Sequence, residues 1–269
     1  MEDDTGQGAA VLGPVVLRVA DVARALAFWE GLLGLAAGTL PDGSISLGPA
    51  GEARSLLVLR PDAEAPSAPH GSTGLFHLAL LLPDRAALGS AYLKLDAAGG
   101  RRFFVGASDH LVSEALYFQD PEGNGLELYR DRPRSEWGWS GDEIAMATDP
   151  LDLAGVLAAA GQPDPSAPAV GPGTVLGHIH LRVGDLQRTA AFYRTRLGMD
   201  VTVSSYPGAL FLSWGGYHHH LGLNVWGGGV RTPPPAGARG LIGWDVRAPS
   251  APEHQALDDP DGVLVRVRH

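Results

Sequence analysis

The chain has 269 residues, 45% of them hydrophobic and 19% charged, with no cysteine and a formal charge of −10. That is enough apolar material for two cores of ordinary size, and the twenty Lys and Arg residues are too scattered for a nucleic-acid groove, which needs them clustered against phosphate. Without cysteine any metal must sit on His, Glu or Asp, and an acidic, polar start with no run near roughly 18 apolar residues predicts a cytoplasmic protein without a membrane segment.

The first 12 residues or so read as a frayed tail. LRVADVARALAFWEGLLGL (17–35) then reads as a strand, an aspartate and an amphipathic helix. Asp21 is placed to accept from the first free backbone N–H groups, and Gly34 to close the helix in the left-handed conformation. The same text returns as LRVGDLQRTAAFYRTRLGM (181–199), identical at nine of nineteen positions, so the chain is a duplication. Most repeated residues are of packing or capping type and predict a fold, not a reaction.

A second unit starts at Gly74. It has the strand LFHLALLL, a helix opened by Asp84 with Leu88, Ala91, Tyr92 and Leu95 inward, and strands through ALYFQD and GLELYR around the turn DPEGNG. Its element order matches the first unit, strand, helix, then several strands. Each half is therefore expected to pair two βαβββ modules around a shared cavity. The halves are residues 11–133 and 174–269, separated by a linker, 134–173, with one short helix near 150–160 before the Pro/Gly-rich stretch 161–173. From Gly240 to DPDG the last module is 27 residues shorter than its counterpart, too short for the usual helix, so its cavity is expected to stand open or to be covered by a second copy in a homodimer.

LRV.D..R..AF(W/Y)...LG together with DPEGNGLELY resembles the vicinal oxygen chelate superfamily, which includes glyoxalase I, bleomycin-resistance proteins and extradiol dioxygenases. The resemblance is closest to the two-domain catechol 2,3-dioxygenase-like subgroup. Further segments carrying it are GASDHLVSEALYFQDPEGNGLELYRDRPRSEW, GHIHLRVGDL and ALFLSWGGYHHHLGLNVW. It implies an α+β fold of tandem βαβββ modules paired into two vicinal oxygen chelate domains, the last module truncated.

In that superfamily the metal ligands come from the first and last strands of a module, the places held here by His77 and Glu127. A His/Glu pair plus one more His is the donor set of non-haem Fe(II), with positions left open for a vicinal diol and O2. The equivalent place in module one is Pro14, which cannot ligate; in module three it is His178. His110 and Tyr117 resemble the histidine and tyrosine beside the substrate in extradiol enzymes, as acid/base and phenolate hydrogen-bond donor.

The second half carries the densest imidazole cluster. Strand alternation predicts that His178 with His180, and His218 with His220, share one wall. That makes His178 and His220 candidate metal ligands and His180, His218, Trp214 and Trp226 candidate substrate-binding residues; Fe, Mn, Zn, Ni and Cu all suit such donors. In module four the His77 and Glu127 places are Gly243 and Arg266.

Two function classes follow. One is a metal-dependent extradiol dioxygenase acting on a catechol-type molecule with O2, its metal most simply Fe(II) and its site in the first half. The other is a non-catalytic, drug-sequestering binding protein, which Pro14 and the short last module favour. A glyoxalase-type isomerase stands third, because it ordinarily uses four ligands across two modules.

Overall fold

A computed structural model describes residues 10–228, 231–247 and 254–268. Module one comprises β1 (Val11–Val19), α1 (Val22–Leu26, widening into a π-type turn over Ala27–Leu32), β2 (Ala36–Thr39), β3 (Ile45–Gly48) and β4 (Leu57–Pro61). Module two comprises β5 (Gly74–Leu81), α2 (Arg85–Ala97), β6 (Phe104–Asp109), β7 (Ser113–Gln119) and β8 (Gly125–Asp131). The linker adds β9 (Trp139–Ser140), β10 (Glu143–Ile144) and α3 (Leu153–Ala160). Module three comprises β11 (Val175–Arg182), α4 (Leu186–Leu197), β12 (Asp200–Val203), β13 (Ala209–Ser213) and β14 (Leu221–Asn224). Module four has only strands among the described residues, β15 (Gly240–Arg247), β16 (Gln255–Asp258) and β17 (Leu264–Arg268). Residues 248–253 of its APSAPEHQALD stretch, where the usual helix is expected to be missing, lie outside the described residues.

The helices start where the sequence places their caps. Asp21, Asp84, Asp152 and Asp185 each accept a hydrogen bond from the backbone N–H three residues on. Gly34 and Gly198 take positive φ, 81° and 64°, and end the two repeated helices.

Module pairing departs from the expectation. One sheet runs β16-β17-β15-β1-β4-β3-β2 and the other β12-β13-β14-β11-β5-β8-β7-β6. Opening strands pair antiparallel, β1 with β15 and β11 with β5, so module one joins module four and module two joins module three. Residues 11–133 and 174–269 therefore do not close on themselves as separate sheets. The reason the sequence is silent is that all four opening strands are apolar runs, and nothing local to such a strand selects its neighbour.

What ties the halves internally is instead the DPxG turn. The Glu122 carboxylate accepts from the Ala20 and Asp21 N–H groups at 2.7 to 3.1 Å, Arg24 donates to the Pro121 carbonyl, and Trp29 Nε1 donates to Asp120. The second half repeats the arrangement. Asp261 accepts from Gly184 N–H, Arg188 donates to the Pro260 carbonyl, and Tyr193 donates to Asp259. The repeated Asp and Arg of the two helices thus have a joint task, capping the helix and seating the turn of the next module. One continuous apolar core, with Leu17, Trp29, Leu80, Leu181, Tyr193 and Trp244 fully buried or nearly so, runs between the two sheets.

Candidate metal centre and its cavity

The seam between β5 and β11 carries the site. On β5, His77 and Ala79 share a face; Ala79 lies level with Glu127 on β8 and with His178 on β11. The small Ala79 side chain leaves room for both longer neighbours to lean toward His77. Their donor atoms meet there. Nε2 of His77 is 2.9 Å and Nε2 of His178 is 3.1 Å from Glu127 Oε2, and the two nitrogens are 3.3 Å apart. Adjacent ligands about 2.1 Å from an octahedral ion stand about 3 Å apart, so the spacing fits three ligands on one face of a single metal. Glu127 and His178 are 2% exposed and His77 is 5%.

Electrostatics favour the ligating forms. Burial opposes ionisation of Glu127, yet the flanking imidazoles of His178 and His77 overcome it and hold the carboxyl well below its usual range. Burial pushes His178 down to about 4, against the pull of Glu127, which leaves a neutral imidazole at neutral pH.

A cavity of about 350 Å³ opens on this triad. Phe76, Phe118, Phe211, Tyr206 and Trp226 supply most of its apolar wall. That size suits one substituted aromatic ring. His180 lies next to His77, ring centroids 5.0 Å apart, with its buried Nε2 unpartnered and its protonation suppressed by burial and then by His77. Gly222 makes space for it, since a Cβ there would fall 2.8 Å from His180 Cγ.

His110 and Tyr117 stand side by side on the cavity wall. His110 Nδ1 is 2.6 Å from the Ala147 carbonyl, which can only accept, so Nδ1 carries the proton and Nε2 accepts from the Tyr117 hydroxyl at 2.6 Å. Burial, then Glu127, raises the Tyr117 phenol well above its ordinary value and keeps it protonated. The linker takes part as well. Met146 and Thr148 line the cavity, and Glu143 accepts from the backbone and hydroxyls of Ser204 and Ser205, tying the linker to the end of β12.

Three of the expected side chains stand elsewhere. Residues 217–220 are not a strand; they form a loop after the positive-φ pair Gly215 and Gly216, so alternation does not apply and the expected wall of His218 and His220 is not formed. His220 turns away from the cavity and packs on Trp214 and Tyr217, its Nδ1 accepting from the Trp214 N–H. Trp214 donates to the Leu197 carbonyl at the end of α4. His218 sits behind the cavity wall, fully buried, with Nε2 2.8 Å from Asp131.

The histidine that does enter is His219. Asp131 fixes the proton on His218 Nε2, so His218 Nδ1 accepts from His219 Nδ1, 2.8 Å away, and the free lone pair of His219 lies on Nε2. Its ring centroid lies 4.1 Å from that of His178, with the planes tilted by 48°, and burial followed by His178 holds it neutral, well below its ordinary pKa. Only the HHH run hinted at it, and strand parity gave it the wrong face.

The other sheet has the same frame without the donors. Pro14, Gly243 and Arg266 occupy the His178, His77 and Glu127 places, and Asp245, at the Ala79 place, pairs with Arg266 at 2.6 Å and Arg268 at 2.8 Å.

Against known proteins, the family model described as Glyoxalase/Bleomycin resistance protein/Dioxygenase superfamily matches residues 11–128 and 175–237. The chain belongs to that superfamily. It is 41% identical over 262 residues to the catechol-2,3-dioxygenase of Bacillus subtilis (strain 168), covering 96% of this chain and 87% of that one. Among solved structures it resembles a putative dioxygenase from Bacillus subtilis subsp. subtilis str. 168, with 13% identity, TM-score 0.60, and 97% and 85% coverage of the two chains. It also resembles glyoxalase I from Zea mays, with 18% identity, TM-score 0.52, and 96% and 92% coverage. The tandem-module α+β fold is that of the superfamily. No helix among the described residues is long and apolar enough to cross a membrane.

Proposed function

We propose that the protein is a metal-dependent extradiol dioxygenase that opens the ring of a catechol-type molecule with O2. The observation that carries this reading is the convergence of His77, Glu127 and His178 at 2.9 to 3.3 Å on the floor of an aromatic-walled cavity. Two imidazoles and one carboxylate are the donor set that suits Fe(II), with Mn(II) second, and three ligands leave room for two diol oxygens and O2. The two features that favoured a binding protein, Pro14 and the short last module, both belong to the other sheet.

A metal held by these three side chains would supply Lewis acidity toward the diol and the redox path by which O2 reacts with a closed-shell ring. The remaining work falls to the protein. His219 Nε2, neutral and aimed into the cavity, accepts a diol proton, and the proton charge is shared along His218 to Asp131. Tyr117, kept protonated, turns its one hydroxyl proton from His110 Nε2 to the ring oxygen that gains negative charge once a diol is bound. Phe76, Phe211 and Trp226 hold the ring and exclude water.

The test is oxygen uptake by protein loaded anaerobically with Fe(II) or Mn(II), against catechol and 4-substituted catechols. One O2 should be consumed per diol, with a ring-opened semialdehyde appearing at the same rate. Tyr117→Phe should lower kcat by about a hundred- to a thousand-fold with metal content unchanged. Full loading with no oxygen uptake on any diol would sink the reading.

A further inference from the structure

The two repeats keep the same arginine and treat it differently. Arg18 and Arg182 both stand in the LRV motif at the end of an opening strand. β4 runs parallel to β1 with Arg18 level with Arg60, and β14 runs parallel to β11 with Arg182 level with Asn224. The offset is the same, so two residues further along the neighbouring chain the equivalent positions are Asp62 and Trp226. In module one Asp62 accepts from Arg18 at 3.4 Å. In module three that carboxylate has become an indole in the cavity wall.

Arg182 is left without an internal anion. Its Nη1 donates to the Leu75 carbonyl and its guanidinium lies over Phe76, 4.9 Å from the ring centre. Among the described residues it makes no ion pair; the charged neighbour felt most is Arg231, a second cation, whose Nη1 also ends on a carbonyl, that of Gly71. Arg182 nevertheless lines the same cavity as the triad. His178, His180 and Arg182 project from one face of β11 at alternate positions, which puts the arginine's Cα ~13 Å along the strand from that of His178. Between them lie Phe76, His180 and Trp226, whose ring centroids are 5.2 to 5.5 Å apart. A half-buried guanidinium with no anionic partner among the described residues, facing a cavity across an aromatic slot, is a docking point for an anion.

Resting on the ring-cleaving reading, we propose that the substrate is a catechol bearing a carboxylate on the ring side away from the diol, and that Arg182 is the specificity-determining residue that binds this carboxylate. Trp226 serves the same end by filling the place where a carboxylate would neutralise the arginine.

The experiment is anaerobic calorimetric titration of the metal-loaded protein with 3,4-dihydroxybenzoate, 3,4-dihydroxyphenylacetate and the neutral 4-methylcatechol, alongside oxygen uptake on each. At least one carboxylated diol should bind about ten- to a hundred-fold tighter than 4-methylcatechol, the range of a charge-assisted contact. Arg182→Met should erase that preference while affinity for 4-methylcatechol stays within a few-fold, and Arg182→Lys should retain part of it. Trp226→Asp, which rebuilds the internal pair of module one, should also erase it with the arginine still present. Equal affinity for charged and neutral diols, or a preference that survives both Arg182→Met and Trp226→Asp, overturns the proposal whatever the oxygen uptake. A preference that depends on Arg182 with no diol consumed upholds the anion site and overturns the ring-cleaving reading.

Discussion

Replacing His178 by Ala separates the module pairing found here from the pairing expected within each half. Its Nε2 is one of three donors within 3.3 Å of one another, so its loss leaves His77 and Glu127 alone. Changing a residue that merely supports a ligand weakens metal affinity about 10- to 100-fold, so losing a ligand itself should cost at least about a hundred-fold. A metal at about 100 times its dissociation constant stabilises the native state by ~2.7 kcal/mol; a hundred-fold weaker site at the same concentration contributes only ~0.4 kcal/mol. At ~2–4 °C per kcal/mol for a chain of this size, added Fe(II) or Mn(II) should raise the wild-type Tm by ~5–10 °C and that of His178→Ala by ~1–2 °C. The comparison is of shifts, because Glu127, 2% exposed, keeps one imidazole fewer and lowers the metal-free Tm of the variant as well. Thermal melts under argon, with and without metal, and elemental analysis of the same samples read it out. His220→Ala is the control and should keep the full shift, since that side chain packs on Trp214 and Tyr217 outside the cavity. If His178→Ala retains the shift and bound metal while His220→Ala loses both, the three-residue centre is wrong.

Two further outcomes follow from the same geometry. Burial lowers His178 to about 4, and His180 and His219 move in the same direction, so between pH 6.5 and 4 the unfolded chain binds more protons and stability falls as pH is lowered; His178 alone should cost about 2 kcal/mol between pH 7 and 5, seen as a lower urea midpoint in metal-free protein at pH 5. A midpoint unchanged over that range would contradict the buried neutral imidazoles. In Glu122→Ala the Ala20 and Asp21 N–H groups lose their acceptor, which should cost about 1–3 kcal/mol in urea unfolding, and Asp261→Ala should do the same in the other half; a loss below about 0.5 kcal/mol in both would deny the turn its docking role.

The sequence by itself determined the local elements and pointed to most of the titratable residues that line the candidate site. Capping aspartates, helix-ending glycines and the alternation of LFHLALLL and GHIHLRV follow from backbone hydrogen bonding and strand periodicity, which act over a few residues. That is why His77, Glu127, His110 and Tyr117 were legible as a group within one module, on strands close in sequence. Tertiary structure alone decided which opening strand lies beside which, because four largely apolar strands of eight or nine residues offer the same kind of edge. That choice brings His178, 51 residues beyond Glu127, onto the carboxylate at 3.1 Å and consigns Pro14 to the other sheet. It also decided the histidine run, where two positive-φ glycines break the strand so that His219 faces the cavity and His220 does not, and it left Arg182 facing Trp226 where its twin faces an aspartate. Periodicity cannot carry such outcomes, since they depend on where a loop leaves the sheet and on what the neighbouring chain presents.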